Sequence, residues 1–564
     1  MKRRLTSAAL ALIMAATAVT AASCGQEDNL DSVGEDKIAN ATTLNIWGIK
    51  GEGTTDEAIA AVEEAMSEIT QAQFNTAIKL ELYTEAEYDK MLEKRMDEIQ
   101  EQLDKEEAEA EAKKQAAKEA KKNGGGDTTT AEESTDESTE IVDETILDEY
   151  GLPETFYPDV EDTQLDIFLI TDYDMLMKYS EKEVLSPLDE SLSSSSKLLK
   201  SYIHPTLLAA GKINGSTYAI LNNHPVGEYT FMLLNKELMD KYYYDADDFK
   251  SFNDAVDFML EVGNDTNVTP FEGDISPIGI HYFTADGSES IVGNMLDPSA
   301  ELGTNGGPKN LLSIPRWKKY LVAVKQLEEK GYIGSETIKE GDKFACGIIK
   351  GTYADVAAFE DDYYVNVIQN PQAITENVYE GMFAVSKYTK SLSRSMEIIT
   401  YLNTRSDLRN LFAYGIEGVN YELDKEGVVK KLNNDYNMKL EYTGNMFVAY
   451  PPEGSTPDVW ENAKQQNLDM VKSPYFCFSY DESKVDPKLV SGVKSLSDKF
   501  FSALNNQTAA TIEDFLAEWW DTADADTSVK NFTASKDTDE KDEYEPMGKI
   551  YADWFAANAK TSEE

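Results

Sequence analysis

The chain has 564 residues, 41% of them hydrophobic, enough for two or three domains with a sizeable core. Its formal net charge of −52 disfavours nucleic acid and bare anionic membrane as partners and favours a neutral or cationic ligand. Three cysteines and three scattered histidines give neither a disulfide framework nor metal-ligand spacing. With no HExxH, CxxC, GxSxG or Walker loop, no catalytic residue, metal or cofactor is expected.

The chain opens on Lys2, Arg3 and Arg4, an apolar run from Ala8 to Val19, and the small residues Ala21, Ala22 and Ser23 before Cys24. A basic start, a short apolar run and small residues make an export signal, and this run is too short to cross a bilayer comfortably. Ala-Ala-Ser-Cys resembles a lipobox, with Ala21 where leucine is commoner. Residues 1–23 therefore read as a lipoprotein signal peptide and Cys24 as the site of lipid attachment; an ordinary secretory signal with an incidental cysteine is the alternative. Residues 24–42, polar and acidic, read as a flexible tether reaching about 25 Å. Cys346 and Cys477 read as two buried free thiols, with one disulfide as the alternative.

Thr43 to Gly48 reads as a first buried strand. Thr54 with Glu57 forms a capping box, followed by Ile59, Val62, Ala65, Met66 and Ile69 at helical spacing. Ile78, Leu80 and Leu82 alternate as a second strand, so strand, helix and strand open an α/β domain with a parallel sheet. Thr84 with Glu87 starts a helix striped by Leu92, Met96, Ile99 and Leu103. From about 104 to 145 that stripe gives way to charged, then glycine-, threonine- and serine-rich sequence, an insertion expected to end in disorder. Leu165 to Thr171 resumes as a buried strand. Thr217 to Leu221 and Tyr229 to Leu234 are strands, with the chain crossing between them at Asn222, Asn223, His224 and Pro225. Asn235 to Tyr243 and Phe249 to Val262 are helical, and residues 263–312 read as loops. Arg316 to Lys330 and Ser393 to Asn403 are amphipathic helices, and Tyr353 to Ala358 reads as a strand.

Seven segments carry a resemblance: TLNIWGIKGEGTTDEAI, LDIFLIT, GSTYAILNNHPVGEYTFMLLNKEL, Phe344-Ala345-Cys346-Gly347, the YGIEGVNY run from Tyr414 to Tyr421, SPYFCFSYD with Cys477 in place of a glycine, and Tyr551 to Trp554. In this order they resemble the extracellular solute-binding proteins of the family 1 type, in their long lipoprotein branch from Gram-positive bacteria. The resemblance implies an α/β, two-lobed, periplasmic-binding-protein-like fold of type II with a hinge of crossing strands. A long helix plus a disordered acidic insertion is then carried by the first lobe. The first lobe is expected over 43–220 and the second over 221–345, with a return to the first over 346–395 and the second lobe with C-terminal helices over 396–564. The implied role is capture of a solute, a sugar or oligosaccharide in most of the family, for delivery to the permease of an ABC importer. The resemblance implies a monomer without enzymatic activity, held by its lipid on the outer face of the cytoplasmic membrane.

A sugar site needs flat rings for CH faces and planar bidentate groups for hydroxyl pairs. At strand ends and crossings those are Trp47 and Glu52, Asp172 and Tyr173, and Asn222, Asn223 and Glu228. Phe359 and Glu360 are expected on the rim of the second crossing, and Tyr414 and Glu417 in the signature loop. Each has a plainer alternative: core packing for Trp47, a solvated acid for Glu52, turn chemistry for the asparagines, an exposed turn for Phe359 to Asp362, a helix cap for Glu417. Trp519, Trp520 and Trp554 read as core. Two other functions stay open: an envelope glycoside hydrolase with a carboxylate pair, and an adhesive or scaffold lipoprotein acting through its acidic arm.

Overall fold

The computed structural model describes residues 41–123, 157–265, 268–276, 278–283, 289–295, 307–478, 480, 482–536 and 544–559. Cys24, the signal, nearly all of the tether and the insertion beyond 123 lie outside them.

Strand β1 (Thr42–Ile49) has its last six residues buried, the mark of a strand covered on both faces. Helix α1 (Asp56–Phe74) follows; its cap is Thr55, whose hydroxyl accepts from Ala58 N at 3.2 Å, one residue later than expected. Thr54 is diverted to Asn437, donating to its carbonyl at 3.1 Å and accepting from its N–H at 3.0 Å. Strand β2 (Thr76–Tyr83) runs parallel to β1. Helix α2 (Glu85–Asn123) buries Tyr88, Leu92, Met96 and Ile99 and is exposed from Asp104 to Gln115, so the insertion begins as an extension of a core helix.

Strand β3 (Ile167–Ile170), helix α3 (Tyr173–Glu181) and strand β4 (Ala219–Leu221) complete the first run. The chain then crosses to strand β5 (Tyr229–Asn235), helix α4 (Val256–Asp265) and strand β6 (Thr269–Gly273). Residues 263–312, expected as loops, hold β6 and the short strands Ile280–Tyr282, Val292–Met295 and Lys309–Asn310. Helix α5 (Pro315–Glu329) leads to strand β7 (Phe344–Gly351) and, antiparallel to β5, strand β8 (Tyr363–Gln369). Phe344 to Gly347 open β7.

After β8 the chain returns through β9 (Gln372–Ala373) to β10 (Met382–Val385), α6 (Leu392–Thr404) and α7 (Ser406–Tyr414). Helix α8 (Val459–Asp469) precedes β11 (Val471–Lys472), which pairs in parallel with β9 at the last crossing. Helices α9 (Pro487–Leu504), α10 (Ile512–Ala525) and α11 (Met547–Ala559) end the described chain.

Two sheets result. The first, in the order β2-β1-β3-β10-β4, is five-stranded; the second, β8-β5-β7-β6, is four-stranded. The expected boundaries shift accordingly. Residues 346–369 stay in the second sheet, because β7 and β8 both pair with β5. Helices α6 and α7 belong to the first lobe, because Met396, Ile398, Ile399, Leu402, Leu408 and Phe412 close the core that holds β1 and β3. The C-terminal helices pack on a separate cluster around Trp317, Phe500 and Tyr551. Trp519 and Trp554 pack against that cluster, whereas Trp520 is exposed, with the Lys318 ammonium over its ring at 5.9 Å. Tyr353–Val356 and Ala357–Phe359 are helical turns rather than a strand.

Buried polar groups fix the first lobe. Asp166, at the mouth of β3, accepts from Asn45 N, Gln164 Nε2, Thr389 Oγ1 and Lys390 N at 2.6–2.9 Å. Burial nonetheless pushes its carboxyl upward. Arg409, fully buried, donates to Asn445 O, Thr443 Oγ1 and Leu440 O at 2.7–3.1 Å. Cys346 is buried and Cys477 half-buried; both are free thiols.

Candidate functional site

Strands β1, β3 and β4 point the same way and β10 runs against them, so the carboxyl ends of the three and the amino end of β10 share one edge. That is the edge where open α/β sheets hold ligands. It carries Glu52 after β1, Asp172 and Tyr173 after β3, Asn222 and Asn223 after β4, and Glu380 before β10. The crossing from Asn222 to Glu228 leaves this edge and enters β5 at Tyr229. On the second sheet Tyr229 pairs with Gly351, and β6 runs parallel to β7, so the carboxyl ends of β6 and β7 lie beside the crossing.

Each expected residue has a definite place. Trp47 lies two residues inside β1, is 5% exposed, and packs on Tyr83 with ring centroids 5.1 Å apart. It is a core residue, although its buried Nε1 has no partner among the described residues. Glu52 and Glu228 are exposed. Asp172 caps α3 by accepting from Met175 N at 2.8 Å. Tyr173, half-buried, meets Tyr379 with centroids 5.0 Å apart, and burial pushes its hydroxyl up to about 12. The two asparagines are buried and their amide nitrogens are committed. Asn222 donates to Glu441 O at 2.8 Å and Asn223 to Tyr202 O at 2.9 Å, while both Oδ1 atoms lack a partner among the described residues.

Phe359 and Glu360 are not at the crossing. Phe359 packs between Phe344 and Tyr363, and Lys236 Nζ donates to Glu360 O at 2.6 Å, at the opposite end of β5 from Tyr229. The helical turns after Gly351 carry the chain along the sheet so that β8 can start antiparallel beside Asn235. Tyr414 is buried and donates to Tyr450 O at 2.7 Å; Glu417 is exposed on the hairpin it opens. His281 stacks on Tyr475 at 3.8 Å, and burial lowers its ring to about 4; burial likewise pushes Tyr282 up to about 12.

Three residues went unnoticed in sequence. Glu380 stands 3.8 Å from His224 Nε2 and burial raises its carboxyl. Tyr379 donates to Ala210 O at 2.9 Å. Both precede an antiparallel strand, so the amino end of β10, and not its carboxyl end, reaches the edge. Tyr353, 43% exposed, lies just past the end of β7 with its ring 4.9 Å from Tyr229. The crossing itself is gripped by α8: Asn467 accepts from Val226 N and donates to His224 O, both at 2.8 Å, Gln466 donates to Gly227 O, and Tyr229 donates to Asp469 at 2.7 Å. Among the described residues no group of three or more His, Cys, Asp or Glu is placed to hold a metal ion.

No family model matches the chain. A carbohydrate ABC transporter substrate-binding protein of Streptococcus pneumoniae serotype 4 is 24% identical over 349 residues, 58% of this chain and 70% of that protein. The crystal structure of NgtS, the N-glycan transport solute binding protein of S. pneumoniae, aligns over 92% of this chain and all of its own, at 18% identity and a TM-score of 0.52. NgtS in complex with Man5GlcNAc aligns over 92% of this chain and 99% of its own at 18% identity and a TM-score of 0.41. The chain is thus similar to a carbohydrate ABC transporter substrate-binding protein, and with its two main sheets and the crossings between them it shares the fold of NgtS.

Proposed function

We propose that the protein captures a neutral sugar or oligosaccharide between its two lobes and delivers it to the permease of an ABC importer. The observation that carries this is the shared edge at the crossings, where Glu52, Asp172, Tyr173, Asn222 and Asn223 converge from separate strands. Rings and amides meet there, and the buried, unpartnered Oδ1 atoms of Asn222 and Asn223 are acceptors still to be satisfied. The S. pneumoniae relative is named for carbohydrate transport and NgtS for N-glycan transport, which supports a glycan over other solutes.

In this reading the protein works as a monomer outside the cytoplasmic membrane, held by lipid on Cys24, and binds without turnover. The ends of the crossing, held by α8, serve as the hinge. Isothermal titration with a ladder from Man1GlcNAc to Man5GlcNAc and with malto-oligosaccharides tests it. Saturable binding with the glycan recovered intact is expected; a folded protein that binds none of them, or releases fragments, overturns it. Metabolic labelling with a palmitate analogue tests the anchor, and Cys24→Ala is expected to abolish incorporation.

A further inference from the structure

Residues Ala413 to Glu453 fold around a pocket of about 290 Å³, near the lower end of the roughly 300–1,000 Å³ typical of ligand pockets. Its walls include Tyr414, Tyr421 and Tyr436, and its polar groups Lys431, Asn437 and Glu453. The signature motif builds it. Gly415 takes a φ of 82°, and a Cβ there would fall 2.5 Å from Asn420 Oδ1, the atom that accepts from Ile416 N at 2.9 Å and closes the turn. That turn delivers Tyr421 against Tyr414, with ring centroids 5.6 Å apart.

The hydrogen-bond ledger of the pocket is incomplete. Tyr414 and Tyr436 donate to the backbone, to Tyr450 O at 2.7 Å and Phe412 O at 3.0 Å. The hydroxyl of Tyr421 has no hydrogen-bond partner among the described residues. Lys431 Nζ fixes Asn437 through its Oδ1 at 2.7 Å, which leaves the Asn437 amide NH2 and two ammonium protons to donate, and Glu453 accepts from Lys431 N with Oε1 only. A tyrosine wall beside oriented donors and a carboxylate acceptor is what a polyhydroxylated ring binds. Asn437 also holds the loop that bears Glu52, accepting from Gly51 N at 2.7 Å and from Thr54 Oγ1 at 3.1 Å, so the pocket adjoins the ligand-facing edge of the first sheet.

We infer that this pocket is a second saccharide-contact site, which takes an outer sugar of an extended neutral glycan whose inner part sits at the interlobe edge. The inference rests on the proposed function. Its test is calorimetry of the wild type and of the double variant Lys431→Met, Glu453→Gln with Man1GlcNAc and with Man5GlcNAc. Both side chains are exposed, so the variant is expected to fold, with circular dichroism as the check. The wild type is expected to bind the longer glycan at least tenfold more tightly, and the variant to lose that preference while holding the short glycan within twofold. An unchanged preference in the variant, an equal loss for both glycans, or no preference in the wild type overturns the assignment. Amide exchange of the wild type gives an independent readout: residues 414–437 gain protection with Man5GlcNAc and not with Man1GlcNAc, and equal protection by both also overturns it. A folded wild type that binds neither glycan removes the proposed function and this inference together, a result distinct from loss of length preference alone.

Discussion

The two edges that meet at the crossings are furnished in opposite ways. On the first sheet most polar groups are tied into the fold, Glu52 and the Oδ1 atoms of the two asparagines excepted: Asp172 caps α3, Asn222 and Asn223 donate to Glu441 O and Tyr202 O, and Tyr379 donates to Ala210 O. On the second sheet Tyr353 is 43% exposed, and the Asp274–Lys350 ion pair at 2.6 Å leaves both side chains partly in water. A group locked by its own fold meets a ligand without further loss of conformational freedom, whereas an exposed side chain must be ordered when it binds. In the proposed function the first edge is the preformed half of the site, and the second closes on it.

The largest effect is expected from cutting the support of the first edge. Arg409 ties Leu440, Thr443 and Asn445, the segment whose Glu441 carbonyl receives Asn222. Arg409→Met leaves those acceptors buried and unmet and is expected to cost about 3 kcal/mol of stability, read by urea denaturation. A loss below about 1 kcal/mol would mean that the first edge is not held from behind.

Tyr353→Ala probes the opposite edge. Its ring packs edge-on against Tyr229 and Phe231 at 4.9 and 5.2 Å yet stays 43% exposed to cover a sugar face, so glycan affinity is expected to fall by about 1–2 kcal/mol, roughly five- to thirtyfold, with folding stability lowered by less than about 1 kcal/mol. Calorimetry and thermal melting separate the two quantities, and equal effects on both would make Tyr353 a packing residue like Trp47.

Acid is expected to weaken the packing around His281. Burial lowers His281 to about 4 against an ordinary 6.5, so the folded ring stays neutral where the unfolded chain takes up a proton. Its contribution is therefore complete above pH 6.5 and is lost as pH falls from there toward 4, by roughly 1 kcal/mol at pH 5.5. His281→Phe keeps a ring against Tyr475 and is expected to flatten that part of the stability-against-pH curve. The smallest effect belongs to Glu360→Gln: at the far end of β5 it is expected to leave glycan affinity within twofold.

The same contrast explains what the sequence made legible. Strand β3 is a continuous apolar run and β1 is apolar from Leu44 but for Asn45 and Gly48, because both are covered on both faces, and the crossing after Leu221 stands out through its Asn-Asn-His-Pro break. The run from Tyr353 to Ala358 reads as a strand from its apolar residues, yet it folds as helical turns. Its decisive signal is the pair Thr352 and Asp355, whose carboxylate accepts from Thr352 N at 2.7 Å and makes a capping box. Glu380 and Tyr379 stayed hidden because strand direction, unlike strand existence, is not written in an apolar pattern. The stripes of α6 and α7 announce burial without saying against which sheet, and so the lobe boundary near 396 was misplaced.

The account's central claim is that glycan is held between a preformed edge and a closing one. Small-angle X-ray scattering of the intact protein, with and without a saturating neutral oligosaccharide, tests it most directly. The account predicts a smaller radius of gyration when glycan is bound, with the glycan recovered whole; binding with an unchanged radius would contradict it.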